Sequence, residues 1–312
     1  MSQAQDAMRT RRFGVFNHFL FGNPSDAVAQ VREDPVAYWN AYVDGFDVEA
    51  VARRLHDVRA GYYFITMMQG TRYMLAPNAT YDRLAGTKPG EACSRRDLVA
   101  DLAEALARYD IDLYLYFTGD GPHLDPELGP RFGFTAPRKN ISEAFVERWA
   151  SVLEEYAVRY GDRVKGWWID GCYEKDFGYT QDMLQRYFDA CRKGNPETLV
   201  GMNNGVFPDI RKYFRSETLT CGEFNDFTVI PPSRFIDGAQ THILAPLGLG
   251  DGKSEWTRWR SKGVRRDGPY MLDYVRRAQA AGMPVTIDVW VGEHGDWDPE
   301  QTEVLRYVGQ NL

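Results

Sequence analysis

The sequence predicts an α/β fold, a single-domain (β/α)8 TIM-like barrel over residues 1–312, with its active site at the C-terminal ends of the strands. Three observations predict it. Eight short apolar runs recur along the chain, amphipathic helical segments separate them, and the longest polar stretches come after strands. Strand–helix alternation builds parallel βαβ units, and 312 residues are enough to close eight of them into a barrel. A doubly wound open sheet is the runner-up. No GxGxxG follows an early strand, however, and the count of eight favours closure.

The strand runs are 13–20, 61–68, 111–119, 164–172, 198–203, 218–223, 242–246 and 285–291. Ser94-Arg95-Arg96-Asp97 reads as a capping-box-like helix start, and Leu98, Leu102 and Leu106 follow at four-residue spacing. Phe145, Trp149, Val152, Leu153, Tyr156 and Tyr160 form one apolar stripe, with Gly161 as its C-terminal stop. Residues 180–192 carry Met183, Leu184, Tyr187, Phe188 and Cys191 before Gly194. The last helix opens on Asp298-Pro299-Glu300-Gln301, an N-cap with proline in the first turn, and buries Val304, Leu305 and Val308. Long polar stretches at 69–95, 120–140 and 248–268 follow strands. In a barrel such loops lie at the catalytic face and enclose a pocket.

Bulk properties exclude several classes. With 37 Lys and Arg against 44 Asp and Glu, the formal charge is −7, and no long basic run exists. Nucleic acid and anionic membranes are therefore not expected as partners. No 18-residue apolar stretch predicts a membrane span, and the first dozen residues hold no apolar core of a signal peptide. Cys93, Cys172, Cys191 and Cys221 show neither CxxC nor zinc spacing, so reduced thiols in a cytoplasmic protein are expected. A homo-oligomer is compatible with the sequence. Aromatic residues reach 14%, which suits either sugar-binding walls or the packing of a large barrel.

Four stretches could carry chemistry. The first is Val164-Lys165-Gly166-Trp167-Trp168-Ile169-Asp170-Gly171-Cys172. Strand side chains alternate faces, so Asp170 shares a face with Trp168 and Gly166 and points into the barrel mouth. A capping role for Asp170 is the alternative; barrel strand ends favour catalysis. The second, residues 219–226, places Glu223 at the end of the sixth run. The fourth and sixth strands are near neighbours around the ring, so both carboxylates can face one pocket. Glycoside hydrolysis uses such a pair, roughly 5–5.5 Å apart in retaining enzymes and about 6.5–9.5 Å in inverting ones. Their environments must differ so that one is ionised and the other protonated. A solvated loop residue is the alternative for Glu223.

In the third stretch, 285–293, Thr286, Asp288 and Trp290 share one face. Asp288 is expected to bind substrate or tie the barrel floor, and Trp290 to form a sugar platform or fill the core. In the fourth, 13–20, His18 ends a strand, where it could hydrogen-bond substrate or serve the structure. No HxH or HExxH offers a metal site, no Gly-x-Ser-x-Gly elbow occurs, and Lys165 lies at the wrong end of its strand for a Schiff base. The glycine-rich stretch 248–253 lacks Walker spacing and reads as a βα loop.

These residues resemble the catalytic barrel of family 29 glycoside hydrolases, the retaining alpha-L-fucosidases. Phe13 to His18 is similar to that family's opening strand, which ends in a sugar-binding His. Arg96-Asp97-Leu98-Val99 leading to Leu115-Tyr116-Phe117-Thr118 is similar to its third βα unit. Gly166-Trp167-Trp168-Ile169-Asp170-Gly171 resembles the nucleophile strand, the most specific of the four. Gly282-Met283-Pro284-Val285 onward, with Pro299 and Val308-Gly309, resembles the closing strand and helix. The resemblance implies Asp170 as nucleophile, His18 as substrate ligand, a retaining mechanism, and neither metal nor organic cofactor.

The chain also departs from that pattern. Where the family carries His-His-Asp-Gly-Phe, this chain has Thr66-Met67-Met68-Gln69-Gly70, which leaves Gln69, Arg72 or Asn78 for those sugar contacts. No counterpart of the family's C-terminal β-sandwich is expected after the closing helix. The family's acid/base position varies, so Glu223 rests on spacing, with Glu255 and Glu293 in reserve. The expected function is hydrolysis of an alpha-L-fucoside or related glycoside by Asp170 and Glu223, with carbohydrate as partner. His18, Gln69, Asn78, Trp168, Asp288 and Trp290 are the expected substrate contacts. A non-hydrolytic carbohydrate-binding barrel, or a lyase or isomerase using the same carboxylates, is the alternative.

Overall fold

In the computed structural model, which describes residues 2–21, 33–134, 140–249 and 257–312, seven strands form one curled parallel sheet. They are β1 (Gly14–Asn17), β2 (Tyr62–Thr66), β3 (Asp112–Thr118), β4 (Val164–Asp170), β5 (Leu199–Met202), β8 (Ile243–Pro246) and β9 (Val285–Asp288). Two short strands, β6 (Phe235–Ile236) and β7 (Ala239–Gln240), make a separate antiparallel pair. The sheet order is β5-β4-β3-β2-β1-β9-β8, so the first and last parallel strands adjoin and the sheet curls round on itself. This is the expected barrel, with one position built differently.

That position is 218–223, expected as a sixth strand. It makes only single bridges, Leu219 to Gln240 and Glu223 to Leu244. On one side Thr218 and Leu219 donate N–H groups to the Val200 carbonyl, at 3.0 and 3.2 Å; on the other Phe224 N–H reaches the Leu244 carbonyl at 2.9 Å. The segment thus spans from β5 to β8 as an irregular stave. The cause is local. Gly222 takes φ +58°, and a Cβ there would lie 1.7 Å from the His242 carbonyl oxygen. Only glycine allows that approach, and the left-handed residue breaks the pleat.

Elsewhere period-two alternation sorts the strand side chains into two layers. Phe16, Tyr62, Phe64, Tyr114, Tyr116 and Trp168 fill the barrel interior with Leu199, Leu219 and Leu244. Val15, Tyr63, Ile65, Leu115, Phe117, Trp167 and Ile169 face outward into the larger core beneath the helices. Truncating one of these buried rings to alanine costs about 3–5 kcal/mol. An N-terminal helix, α1 (Gln3–Thr10), adds Met8 to the interior cluster, and its Gln5 Nε2 donates to the Thr218 and Gly238 carbonyls, both at 2.9 Å.

The outer helices follow their sequence signals. Among the described residues the helices after α1 are α2 (Pro35–Asp44), α3 (Val48–Asp57), α4 (Ala79–Ala85), α5 (Leu98–Ala107), α6 (Leu128–Arg131), α7 (Glu143–Tyr160), α8 (Glu174–Phe177), α9 (Gln181–Arg192), α10 (Gly268–Ala280) and α11 (Pro299–Asn311). The stripe from Phe145 to Tyr160 is buried, and Gly161 ends α7 at φ +54°. Asp298 caps α11, accepting from Gln301 N–H at 3.1 Å. One boundary differs: α5 is capped by Asp97, whose side chain accepts from Ala100 N–H, while Ser94 Oγ donates to the Arg96 carbonyl. The carboxylate lies directly before the apolar run and takes the cap. No helix among the described residues is long and apolar enough to cross a membrane. Residues 135–139 of the loop after β3, and 250–253 of the glycine-rich loop, lie outside the described residues.

Candidate active site

β4 ends on Asp170, and register pairs it with Thr118 of β3 while Trp168 pairs with Tyr116. The inner face of β4 therefore delivers a ring first and a carboxylate last, beside Tyr116 and Thr118 on β3. The backbone then turns at Gly171, φ +68°, where a Cβ would meet the Asp120 carboxyl at 2.6 Å. Trp168 stacks on Tyr116 with ring centres 5.3 Å apart, and its Nε1 donates to the Cys221 carbonyl at 3.0 Å.

Three donors converge on the Asp170 carboxylate. Tyr116 Oη donates to Oδ2 at 2.5 Å. Tyr173 Oη, at 3.3 Å, and Asn203 Nδ2, at 2.7 Å, donate to Oδ1. Gln69 Nε2 donates to Tyr116 Oη at 2.9 Å and so fixes the phenol. Burial and the Asp170 charge push the Tyr116 phenol far above its ordinary value, which keeps it a donor.

Asn203 Nδ2 also donates to Glu223 Oε2, at 2.6 Å. One amide nitrogen thus bridges two carboxyl groups, and the bridged oxygens lie no more than about 5.3 Å apart. Glu223 is held in place by its bridge to Leu244. Its environment differs sharply from that of Asp170. Burial first, and the neighbouring Asp170 charge second, push the Glu223 carboxyl up to about 8, against a partial counter-effect from Asn203. Of the two carboxyl groups, Glu223 is thus the one whose surroundings favour the protonated form.

The two groups open onto a cavity of about 320 Å³, lined also by Gln69, Tyr116, Trp168, Tyr173, His18, Trp259 and Arg260. His18 Nδ1 lies 2.7 Å from Asp288 Oδ1 and packs edge-on against Trp259, 5.5 Å between ring centres. Asp288 is fully buried and does not line this cavity; it orients His18 from behind. Among the described residues no group of three His, Cys, Asp or Glu side chains is placed to hold a metal ion.

Of the residues expected from sequence, Asp170, Glu223, His18, Gln69 and Trp168 come together at the cavity. Asn78 does not. It is fully buried as the N-cap of α4, accepting from Tyr81 N–H at 2.7 Å and donating to the Val152 carbonyl at 3.0 Å. Both ends of its amide are spent on structure. Trp290 lies in a separate recess of about 30 Å³, with Lys262 Nζ 4.0 Å from its ring centre. β9 stops at Asp288 and Trp290 N–H turns to Gln301 Oε1, so strand alternation no longer governs where the indole points. Arg72 is paired with Asp125 and Glu127. Glu293 is exposed, and Glu255 lies outside the described residues.

Sequence reasoning missed Asn203, Tyr116, Tyr173, Trp259 and Arg260. For two of them the signal was present. Asn203 ends the fifth run on the same face as Leu199, and Tyr116 shares a face with Tyr114; the strand-end rule that selected Asp170 selects them too. Trp259 and Arg260 sit on a loop, where no periodicity points.

This arrangement occurs on a barrel shared with known glycoside hydrolases. A family 29 alpha-L-fucosidase from Bacteroides thetaiotaomicron superposes with a TM-score of 0.71 at 16% identity, over 99% of this chain and 73% of its own. Alpha-L-fucosidase AlfC from Lactobacillus casei, in complex with alpha-L-fucose product, gives 0.67 at 15% identity, over 99% and 98%. The family 107 endo-fucoidan hydrolase MfFcnA4 gives 0.71 at 13% identity, over 99% and 54%. No family model matches the chain, and no curated protein sequence does. At these identities the likeness establishes the fold.

Proposed function

We propose that the chain is a retaining glycoside hydrolase acting on an alpha-L-fucoside or a related glycoside. The observation that carries this reading is the Asn203 amide shared between Asp170 and Glu223. It holds the bridged oxygens no more than about 5.3 Å apart, an upper bound short of the inverting spacing of about 6.5–9.5 Å and on the side of the retaining spacing of roughly 5–5.5 Å. The fucoside preference is supported by the activities named for AlfC and the Bacteroides enzyme.

The chemistry follows from the two environments. Asp170, fixed by Tyr116, Tyr173 and Asn203, attacks the anomeric carbon. The bond to the leaving oxygen breaks as Glu223 delivers its proton to that oxygen, giving a glycosyl ester on Asp170. Glu223, now a carboxylate, takes a proton from water, whose oxygen attacks the same carbon and releases Asp170. Two inversions retain configuration. His18, oriented by Asp288, and the Trp168 and Trp259 rings hold the sugar.

The test is a screen of the purified protein against aryl alpha-L-fucoside, alpha-L-galactoside and arabinosides, with Asp170→Ala in parallel. Proton NMR of the first-formed anomer follows on the best substrate. Release by wild type alone, with the starting configuration in the product, is expected. Full activity in Asp170→Ala, or an inverted first product, overturns the reading.

A further inference from the structure

A second cavity, of about 230 Å³, also borders Glu223. Its walls include Glu223 and Asn203 together with Glu174, Phe207, Arg211 and Tyr213. We infer that this cavity receives the leaving group and is built for an uncharged sugar ring. The inference rests on the glycosidase reading above and extends it to the half of the substrate that departs.

The position argues first. A general acid must reach the oxygen that joins the two halves of a glycoside. Glu223 lines both cavities, and only the first also contains Asp170. With the attacked ring beside Asp170, the departing half crosses Glu223 and enters the second cavity. The walls argue next. Phe207 offers a half-buried ring, and the Arg211 guanidinium carbon sits 4.4 Å from its centre. An aromatic face packs against the apolar C–H face of a sugar as it does against other apolar surfaces.

The charges decide the class of ring. Arg211 is paired with Asp209 at 3.0 Å, and Lys212 Nζ donates to the Asp237 carbonyl at 2.8 Å. Glu174 adds a further acid to the wall. Two cations against Asp209, Glu174 and Glu223 itself leave no surplus positive charge to compensate a sulfate or uronate carboxylate, whose desolvation would then cost more than that of a hydroxyl. A neutral ring meets no such penalty.

The experiment compares three substrates of one glycone: alpha-L-fucosyl fluoride, a neutral fucosyl disaccharide, and the same disaccharide with a sulfated second ring. Fluoride departs as a single atom and does not fill the second cavity. In Phe207→Ala, the ratio of kcat/KM for the neutral disaccharide to that for the fluoride is expected to fall about tenfold. Arg211→Ala, at an exposed position, is expected to move it the same way by less, and it serves should Phe207→Ala fail to fold. Wild type is expected to favour the neutral disaccharide over the sulfated one. An unchanged ratio in both variants, or preference for the sulfated ring, overturns the inference. A wild type inert to the fluoride and both disaccharides instead removes the glycosidase reading beneath it.

Discussion

The two carboxyl groups of the site come from opposite kinds of structure. Asp170 ends β4, a seven-residue strand bonded on both edges, and register with β3 fixes its height and direction. Glu223 sits on the stave 218–224, which touches β8 through a single bridge and is bent at Gly222. The regular side presents its carboxylate to three donors. The irregular side buries its carboxyl with one donor, Asn203, and facing a negative charge. The lesson is that the chemical difference between the proposed acid and the proposed nucleophile is produced by a difference in backbone order. A strand end collects neighbours from both flanks; a bent stave does not.

The predictions break that contrast at successively gentler points. Asp170→Ala removes the proposed nucleophile from the regular side, and kcat should fall on the order of 10⁴-fold or more with the fold intact by circular dichroism. A variant that keeps its rate would relocate the nucleophile. Glu223→Gln tests the irregular side, with an expected loss of roughly 10²–10⁴-fold. The sign of the pH dependence is set by the raised proton affinity. The acid form is present below about 8 and is lost as pH rises through it, so wild-type kcat/KM should decline above that point. The alkaline limb should be absent in Glu223→Gln, and its persistence would assign the limb to another group.

Gly222→Ala attacks the bend itself. The left-handed backbone and the 1.7 Å approach to the His242 carbonyl predict a destabilisation of about 2 kcal/mol or more, read as a lower Tm. They also predict a fall in kcat, because Glu223 is carried by the same turn. A variant with native Tm and native kcat would show that the stave tolerates regular geometry. Asn78→Ala is the mildest. Loss of a buried N-cap should lower stability by about 1–2 kcal/mol and leave kcat/KM alone, because the residue lies outside the cavity. A drop in kcat/KM exceeding the loss of folded protein would return Asn78 to the site.

Legibility in the sequence followed the same divide. Where a strand is regular, alternation alone placed Trp168 and Asp170 on the inner face and Trp167 and Ile169 on the outer one. The rule held for Asp288 and failed two residues later at Trp290, because β9 ends between them. It gave Glu223 its neighbourhood while misreading its segment as a strand, since Gly222 inside an apolar run does not announce a positive φ. Asn78 was drawn toward the site by its place in a polar loop, whereas its amide serves the first turn of α4.

By itself the sequence determined the barrel, because the spacing of apolar runs and helix signals is local information, and it placed Asp170 on the inner face at the end of its strand, because period two is a property of the extended backbone. Only the tertiary structure decided that Asn203 bridges Asp170 and Glu223, that Asp288 stands behind His18, and that Glu223 divides two cavities. Each of these joins residues from different strands or loops. Their meeting depends on how the ring closes, and on the low-dielectric surroundings that closure creates, neither of which any single stretch of chain encodes.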